Sequence, residues 1–374
     1  MTLDVALPEA PAWRVDWDAL DARFPWIRRL REVPQDPVWH AEGDVWIHTR
    51  MVCEALVALP AFRALPAGSR LELWLAALLH DVAKPDTTRV EGDRVRSPHH
   101  APRGAVVARE LLWRAGLAPA SRERVCGLVR HHQLPVWAVK SDDGERRTSL
   151  ASHRCRLDHL ALLAEADIRG RVCRDADEAL EAVALFVELA DELGCLDRPR
   201  AFASDHTRLL YLRGERPTAH AAYDDTWGPV LLMSGPPGAG KTSWLRAHAP
   251  DLPVVSLDAH RHRLGVGHGS AEGRVRQAAR AEAREHLRAR QPFAWDATNL
   301  LRTRREPLVQ LFRDYGARVE IVPVEVPVEQ LTMQNRERSA PVPEAALERM
   351  LRRWELPDVS EAHALRGWPP GSRS

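Results

Sequence analysis

Along the first half of the chain, apolar residues recur three and four positions apart. Ile47, Met51, Ala55 and Leu59 fall four apart, and Leu71, Leu75 and Leu78 repeat the spacing. That is the period of an α-helix buried along one face, and the two-residue alternation of a strand is absent from Trp46 to about Gly194. Residues 106–112, 124–130, 157–166 and 175–193 continue the pattern with proline and glycine breaks between them, which predicts an all-α domain. Upstream, Trp13, Trp17, Trp26 and Trp39 stand among prolines, and the pattern predicts one short helix near residues 16–31.

The period then changes. Residues 196–228 carry Arg198-Pro199, Arg216-Pro217 and Gly228-Pro229 breaks, and read as a linker with one helix around 206–213. Beyond it, short apolar runs at 229–234, 253–257, 293–296 and 319–324 are separated by helical stretches at 241–248, 271–290 and 303–315. Strand and helix in alternation predict a parallel sheet covered on both faces. The expected organisation is multidomain: an all-α domain over 1–195, a linker over 196–228, and an α/β domain over 229–374.

The first apolar run of the second domain breaks into LLMSGPPGAGKTS (231–243). Gly235, four intervening residues, then Gly240, Lys241 and Thr242 form the Walker A spacing, with Gly238 inside the loop. Backbone amides and a helix start would wrap the phosphates of ATP or another NTP, Lys241 would reach the β and γ phosphates, and Thr242 would hold Mg²⁺. Lysine occurs at only three positions in the chain, Lys84, Lys140 and Lys241.

Composition changes this picture little. With 374 residues the chain is long enough for two cores, and a formal charge of +1 gives no global electrostatic signature. Its cations are nearly all arginine, clustered in places such as 302–305 and 336–353, so a nucleic-acid contact would be local. Five widely spaced cysteines without a CxxC pair argue for a reducing compartment. No apolar run is long enough for a bilayer and the acidic, proline-interrupted N-terminus is unlike a signal peptide; a cytoplasmic protein with no membrane partner is expected.

In the helical half, His48, His80, Asp81, His100, His132 and Asp167 each lie within or at the end of an apolar helical stretch. Imidazoles with carboxylates suit divalent Mn, Co, Ni, Zn or Fe. His80 and Asp81 are expected on one helix, diverging by about 100°, so they could share an ion only against the helix surface. These residues, with LLHDVAKPD (78–86), HHAPRGA (99–105), LVRHH (128–132) and EADIRGR (165–171), resemble the HD phosphohydrolase superfamily over roughly residues 40–195. The resemblance implies a first metal at His48, His80, Asp81 and Asp167, and a second at His100 and His132 with Asp81 bridging. Water activated there would attack phosphorus, and Lys84 would neutralise phosphate charge. His99 competes with His100, and His131 with His132, for the second pair.

In the α/β half, Asp258 ends the second apolar run at the ligand-binding edge of a parallel sheet, with Arg261 one helical turn on. A carboxylate there can accept a proton from an attacking hydroxyl, or cap a helix, and an arginine beside it can grip a phosphate of the acceptor. Asp296 at the end of the third run can reach the Mg²⁺ shell, and NRERSAPVP (335–343) forms a basic turn whose Arg338 could close over the phosphates. GPPGAGKT, LDAHR, DATN and NRERSAPVP in this order resemble the phage-type polynucleotide 5′-kinases over about 229–357. The resemblance implies a general base at Asp258, an acceptor-phosphate contact at Arg261 and a lid arginine at Arg338. Ala259 and Gln334 depart from that pattern, where the phage enzyme has an acidic and a basic residue.

Together the halves resemble the bacterial fusions of an HD domain with a polynucleotide kinase that heal RNA ends. This implies phosphorylation of a 5′-hydroxyl from an NTP, removal of a 2′,3′-cyclic, 2′- or 3′-phosphate, RNA or DNA ends as substrates, and cooperation with a separate RNA ligase. Two alternatives keep the same folds: a small-molecule or nucleoside kinase fused to a nucleotide phosphohydrolase, and an ATP-binding sensor with little turnover.

Overall fold

The computed structural model describes residues 7–92, 94–267, 269, 271–338 and 340–367. The chain divides into two compact units, residues 1–201 and 202–374.

The first unit is helical. Its framework is Val45–Ala58, Ala67–Leu79, His100–Arg114, Pro119–His131, Leu157–Arg169 and Ala176–Glu192. Val52, Leu56, Leu75, Val125, Val129, Leu160, Leu163 and Phe186 from these helices form a continuous dry core. The N-terminal segment forms one short helix, Trp17–Arg23, capped by the Asp16 side chain, and then a 3₁₀ turn over Pro25–Leu30 whose Ile27 and Leu30 reach the core. One element departs from the all-helical expectation: an antiparallel hairpin of Arg89–Glu91 (β1) and Arg94–Arg96 (β2). Its strands of three residues, exposed and largely charged, are too short to show a period. A second departure concerns the histidine–aspartate pair. The helix ends at Leu79, so His80 is its C-terminal cap and Asp81 lies in the turn beyond, and both side chains can face one point.

The second unit starts inside the segment expected to be a linker. The helix Asp205–Leu212, capped by Ser204, buries Thr207, Leu209, Tyr211 and Leu212, so from Phe202 on this segment belongs to a packed body. The flanking prolines disguised that apolar face. Five parallel strands follow: Trp227–Ser234 (β3), Val254–Ser256 (β4), Ala294–Asp296 (β5), Ala317–Pro323 (β6) and Ala364–Leu365 (β7), in the order β4-β5-β3-β6-β7. β3 is central, and its Val230 to Met233 are wholly buried between the covering helices, as a two-sided sheet requires. The two-residue strand β7 carries no sequence signal of its own. β3, β4 and β5 all end at the same sheet edge, which brings the glycine-rich loop, Asp258 and Asp296 to one side. Among the described residues no helix is long and apolar enough to cross a membrane.

Candidate active sites

In the helical unit, five separate segments deliver six side chains to one buried point. His48 comes from the second turn of Val45–Ala58, His80 and Asp81 from the end of Ala67–Leu79, His100 from the first residue of His100–Arg114, His132 from the cap of Pro119–His131, and Asp167 from Leu157–Arg169. Each is at most 7% exposed. Nε2 of His48 lies 3.3 Å from Nε2 of His80 and 3.1 Å from Oδ1 of Asp167. Nε2 of His100 lies 3.4 Å from Nε2 of His132 and 3.5 Å from Oδ1 of Asp81, whose Oδ2 is 3.2 Å from Nε2 of His80.

The other face of each ring explains this crowding. Nδ1 of His80, His100 and His132 is bonded to the carbonyls of Ala77, Ser97 and Val129 at 2.7, 2.7 and 2.8 Å, and Nδ1 of His48 to Gly170 at 3.2 Å. A carbonyl only accepts, so each Nδ1 donates a proton to it and each ring turns its Nε2 inward. Asp81 Oδ1 and Asp167 Oδ1 are also buried without an aligned donor. Four inward Nε2 atoms and two carboxylates converging in a buried pocket are the donor types that divalent metal takes, so this set fits such an ion. The groups divide into His48, His80 and Asp167 on one side and Asp81, His100 and His132 on the other. Asp81 also faces His80 and thus stands between the two sets.

His100 and His132, rather than their neighbours, enter the cluster. His99 is exposed, held in left-handed backbone at the residue before the helix, and His131 lies outside the convergent set. Burial favours protonated carboxyls, yet Lys84, His80 and His100 overcome it and hold Asp81 well below the usual carboxylate range; Arg171 and His48 do the same for Asp167. Burial, reinforced by His100 and His80, pushes His132 down to about 3, and burial also lowers His100. Asp81, Asp167, His100 and His132 are therefore in the metal-binding protonation state at neutral pH, whereas Asp167 and Glu42 raise His48 against its burial. Lys84 is buried, its ammonium donating to Asp81 Oδ2 and Gln35 Oε1 at 2.7 Å each.

Three contributors escaped the sequence. Glu42, whose side chain is almost wholly buried, accepts from Nδ1 of both His48 and His40 at 2.9 Å and from the Val172 amide at 2.8 Å. Arg171, two residues beyond the end of Leu157–Arg169, donates to Asp167 Oδ2 at 2.7 Å, a pairing that the four-residue spacing could have suggested. Gly170 lets its chain pass close to Val45–Ala58, since a Cβ there would stand 2.5 Å from the Val52 nitrogen, and this approach puts its carbonyl on His48.

In the α/β unit, the loop after β3 has Gly238 and Gly240 in left-handed backbone and opens directly into the helix Lys241–His248. Gly235 has no room for a side chain, because a Cβ would lie 2.4 Å from the Val324 carbonyl. Lys241 folds back over the loop, its ammonium donating to the carbonyls of Gly235 and Pro236 at 3.0 Å. Burial pushes it down to about 8 against the pull of Asp296, whose own carboxyl burial raises. Thr242 Oγ1 donates to Asp296 Oδ2 at 3.2 Å, which joins hydroxyl and carboxylate at one point where Mg²⁺ could be held.

Asp258 lies in the first turn of a short helix, Leu257–Leu264, that follows β4 without a break. The cap is Ser256, which leaves Asp258 free of that duty. Its side chain is 65% exposed and paired with Arg261. Arg261 in turn is clamped by Glu272 at 3.0 and 2.9 Å, a partner the sequence did not reveal. Asn299 is a further hidden contributor: its Nδ2 donates to the Met233 carbonyl at 2.8 Å and fastens the loop after β5 to β3. Arg338 is half-buried, and its charge bears on both Lys241 and Asp296. The turn that carries it is closed by buried Asn335, bonded to both the carbonyl and the amide of Val342 at 2.8 and 3.1 Å. Ser339 of this turn lies outside the described residues.

A buried His/Asp hexad on a helical framework forms a candidate divalent-metal site, and a P-loop on a parallel sheet forms a candidate nucleotide site. Residues 45–193 match the family described as an HD domain, and residues 230–357 match a family described as an AAA domain, here of the P-loop kinase type. The chain thus joins an HD phosphohydrolase domain to a P-loop kinase-like domain.

Proposed function

We propose that the chain is a bifunctional enzyme that heals broken RNA ends. Its kinase domain phosphorylates a 5′-hydroxyl from an NTP; its HD domain removes a 2′,3′-cyclic, 2′- or 3′-phosphate. The observation that carries this is the Asp258–Arg261–Glu272 arrangement: an exposed carboxylate beside an anchored guanidinium at the sheet edge of the P-loop. Hydrolysis of a nucleotide needs no such acceptor-side pair, whereas a hydroxyl that is linked to a phosphodiester uses both.

At the kinase site Asp258 takes the proton of the 5′-hydroxyl as its oxygen bonds to the γ-phosphorus and the bond to the β–γ bridging oxygen breaks. Lys241 leaves its two loop carbonyls for the departing phosphate oxygens, and Arg338 closes from the opposite side as charge develops. Thr242 and Asp296 would hold Mg²⁺. At the HD site, His48, His80, Asp81 and Asp167 would hold one divalent ion and Asp81, His100 and His132 a second, which supply Lewis acidity and lower the pKa of water. Asp81 keeps the two sets in register, and Lys84 balances its charge beside the incoming phosphate.

The test is an oligoribonucleotide with a 5′-hydroxyl and a 3′-phosphate, incubated with ATP, Mg²⁺ and Mn²⁺. Both ends should be converted; Lys241→Ala should abolish only the 5′ reaction and Asp81→Ala only the 3′ reaction. No change at either end by the unaltered protein refutes the proposal.

A further inference from the structure

The helix Glu272–Arg288 buries Val275, Ala279, Ala283 and Leu287 at four-residue intervals. One position on from each stand Arg276, Arg280, Arg284 and Arg288, a second row along the same helix, exposed at its two ends and half-buried between. The other flank of the helix is neutralised: Glu282 pairs with Arg263 at 2.7 Å and His260 at 2.9 Å. The arginine row has no such partners, since among the described residues none of its four side chains has a carboxylate within ion-pair distance. Like charges four residues apart destabilise a helix by a few tenths of a kcal/mol per pair, so the row works against its own helix. At a rise of about 1.5 Å per residue it sets a guanidinium roughly every 6 Å over about 18 Å, on the scale of successive phosphates in a single strand.

The row begins at the acceptor side of the kinase site. Glu272, the first residue of this helix, clamps Arg261, and the charge of Arg276 bears on Glu272. We propose that Arg276, Arg280, Arg284 and Arg288 are a track for the sugar–phosphate backbone of a polynucleotide acceptor, leading away from the 5′ end at Asp258. The inference rests on the kinase reading above and adds where the rest of the strand lies. Its grounds are charge complementarity with a polyanion and continuity with the acceptor carboxylate.

The experiment compares the full-length protein with a fourfold variant, Arg276→Gln, Arg280→Gln, Arg284→Gln and Arg288→Gln, and with the fourfold Lys variant that restores charge. KM is measured for a 5′-hydroxyl dodecaribonucleotide and for a nucleoside 3′-monophosphate, each at several salt concentrations. The Gln variant should raise the oligonucleotide KM by about tenfold at low salt and flatten its log–log salt slope by about 0.7 per lost phosphate contact. Its kcat and its KM for the mononucleotide should hold, and the Lys variant should recover most of the loss. An unchanged oligonucleotide KM in the Gln variant, with the unaltered protein active on that substrate, overturns the track alone. If the unaltered protein phosphorylates no oligonucleotide, the kinase reading falls and the track with it. Binding to anionic vesicles that the Gln variant loses while its oligonucleotide KM stays put would assign the row to a lipid surface instead.

Discussion

Nucleotide binding should become weaker as pH rises above about 8, and Lys241 is the reason. In the free site burial depresses this lysine from 10.5 to about 8, its direct partners among the described residues being two neutral carbonyls. A bound triphosphate supplies the negative charge that is missing and returns the ammonium to its ordinary range. The group's affinity for its proton is therefore raised by binding. Its contribution is complete below the free-site value and is lost as pH climbs from there towards the bound-state value. At pH 9 the free lysine is about one-tenth protonated and the bound one almost fully, so binding takes up about 0.9 of a proton. Between pH 7 and pH 9 the dissociation constant for ATP at constant Mg²⁺ should rise about tenfold, or about 1.4 kcal/mol. Titration calorimetry in two buffers of different ionisation enthalpy measures the proton count and the affinity together. Lys241→Arg stays charged throughout and should bind with a flat profile. A flat profile in the unaltered protein, or an equal slope in the Arg variant, would refute the assignment.

Other consequences follow from individual contacts. Glu42→Gln removes the carboxylate that orients His48, so affinity for Mn²⁺ measured by calorimetry should drop about 10- to 100-fold while ATP binding is unaffected. Arg305 and Glu361 form a bidentate pair at 2.7 and 2.9 Å with both side chains sealed from water. Glu361→Gln leaves the guanidinium without its counter-charge and should cost the α/β unit about 3–5 kcal/mol in denaturant unfolding; replacing both residues with apolar ones should recover much of it.

Much of both sites was legible because it is carried by local motifs. The Walker A loop needs only glycines and a lysine at fixed spacing, and the structure sets Lys241 and Thr242 at the head of a helix after the central strand. The helical period likewise foretold the framework around His48 and Asp167. What stayed hidden depends on distant contacts. Nothing in AEGDV announces that Glu42 will meet two imidazoles, because one belongs to a helix not yet begun and the amide it also binds is 130 residues away. Glu272 falls within the helical stretch read at 271–290, and nothing in that spacing announces its meeting with Arg261, eleven residues earlier. The helix Asp205–Leu212 was foreseen around 206–213, but prolines on both sides imitate a linker and hid that its face, burying Leu209 and Tyr211, belongs to the second unit.

The ring nitrogens of His80 and His132 have one more consequence. Each bonds the carbonyl three residues back, so each residue that faces the hexad is also the stop of its own helix, satisfying an otherwise orphaned backbone acceptor. An alanine at either position therefore deletes two things at once, a ligand and a helix terminus. Lost catalysis in such a variant is an ambiguous result. Asparagine, short enough to keep a donor near the carbonyl but unable to supply the inward lone pair, separates the two losses and makes the better probe of the metal's role.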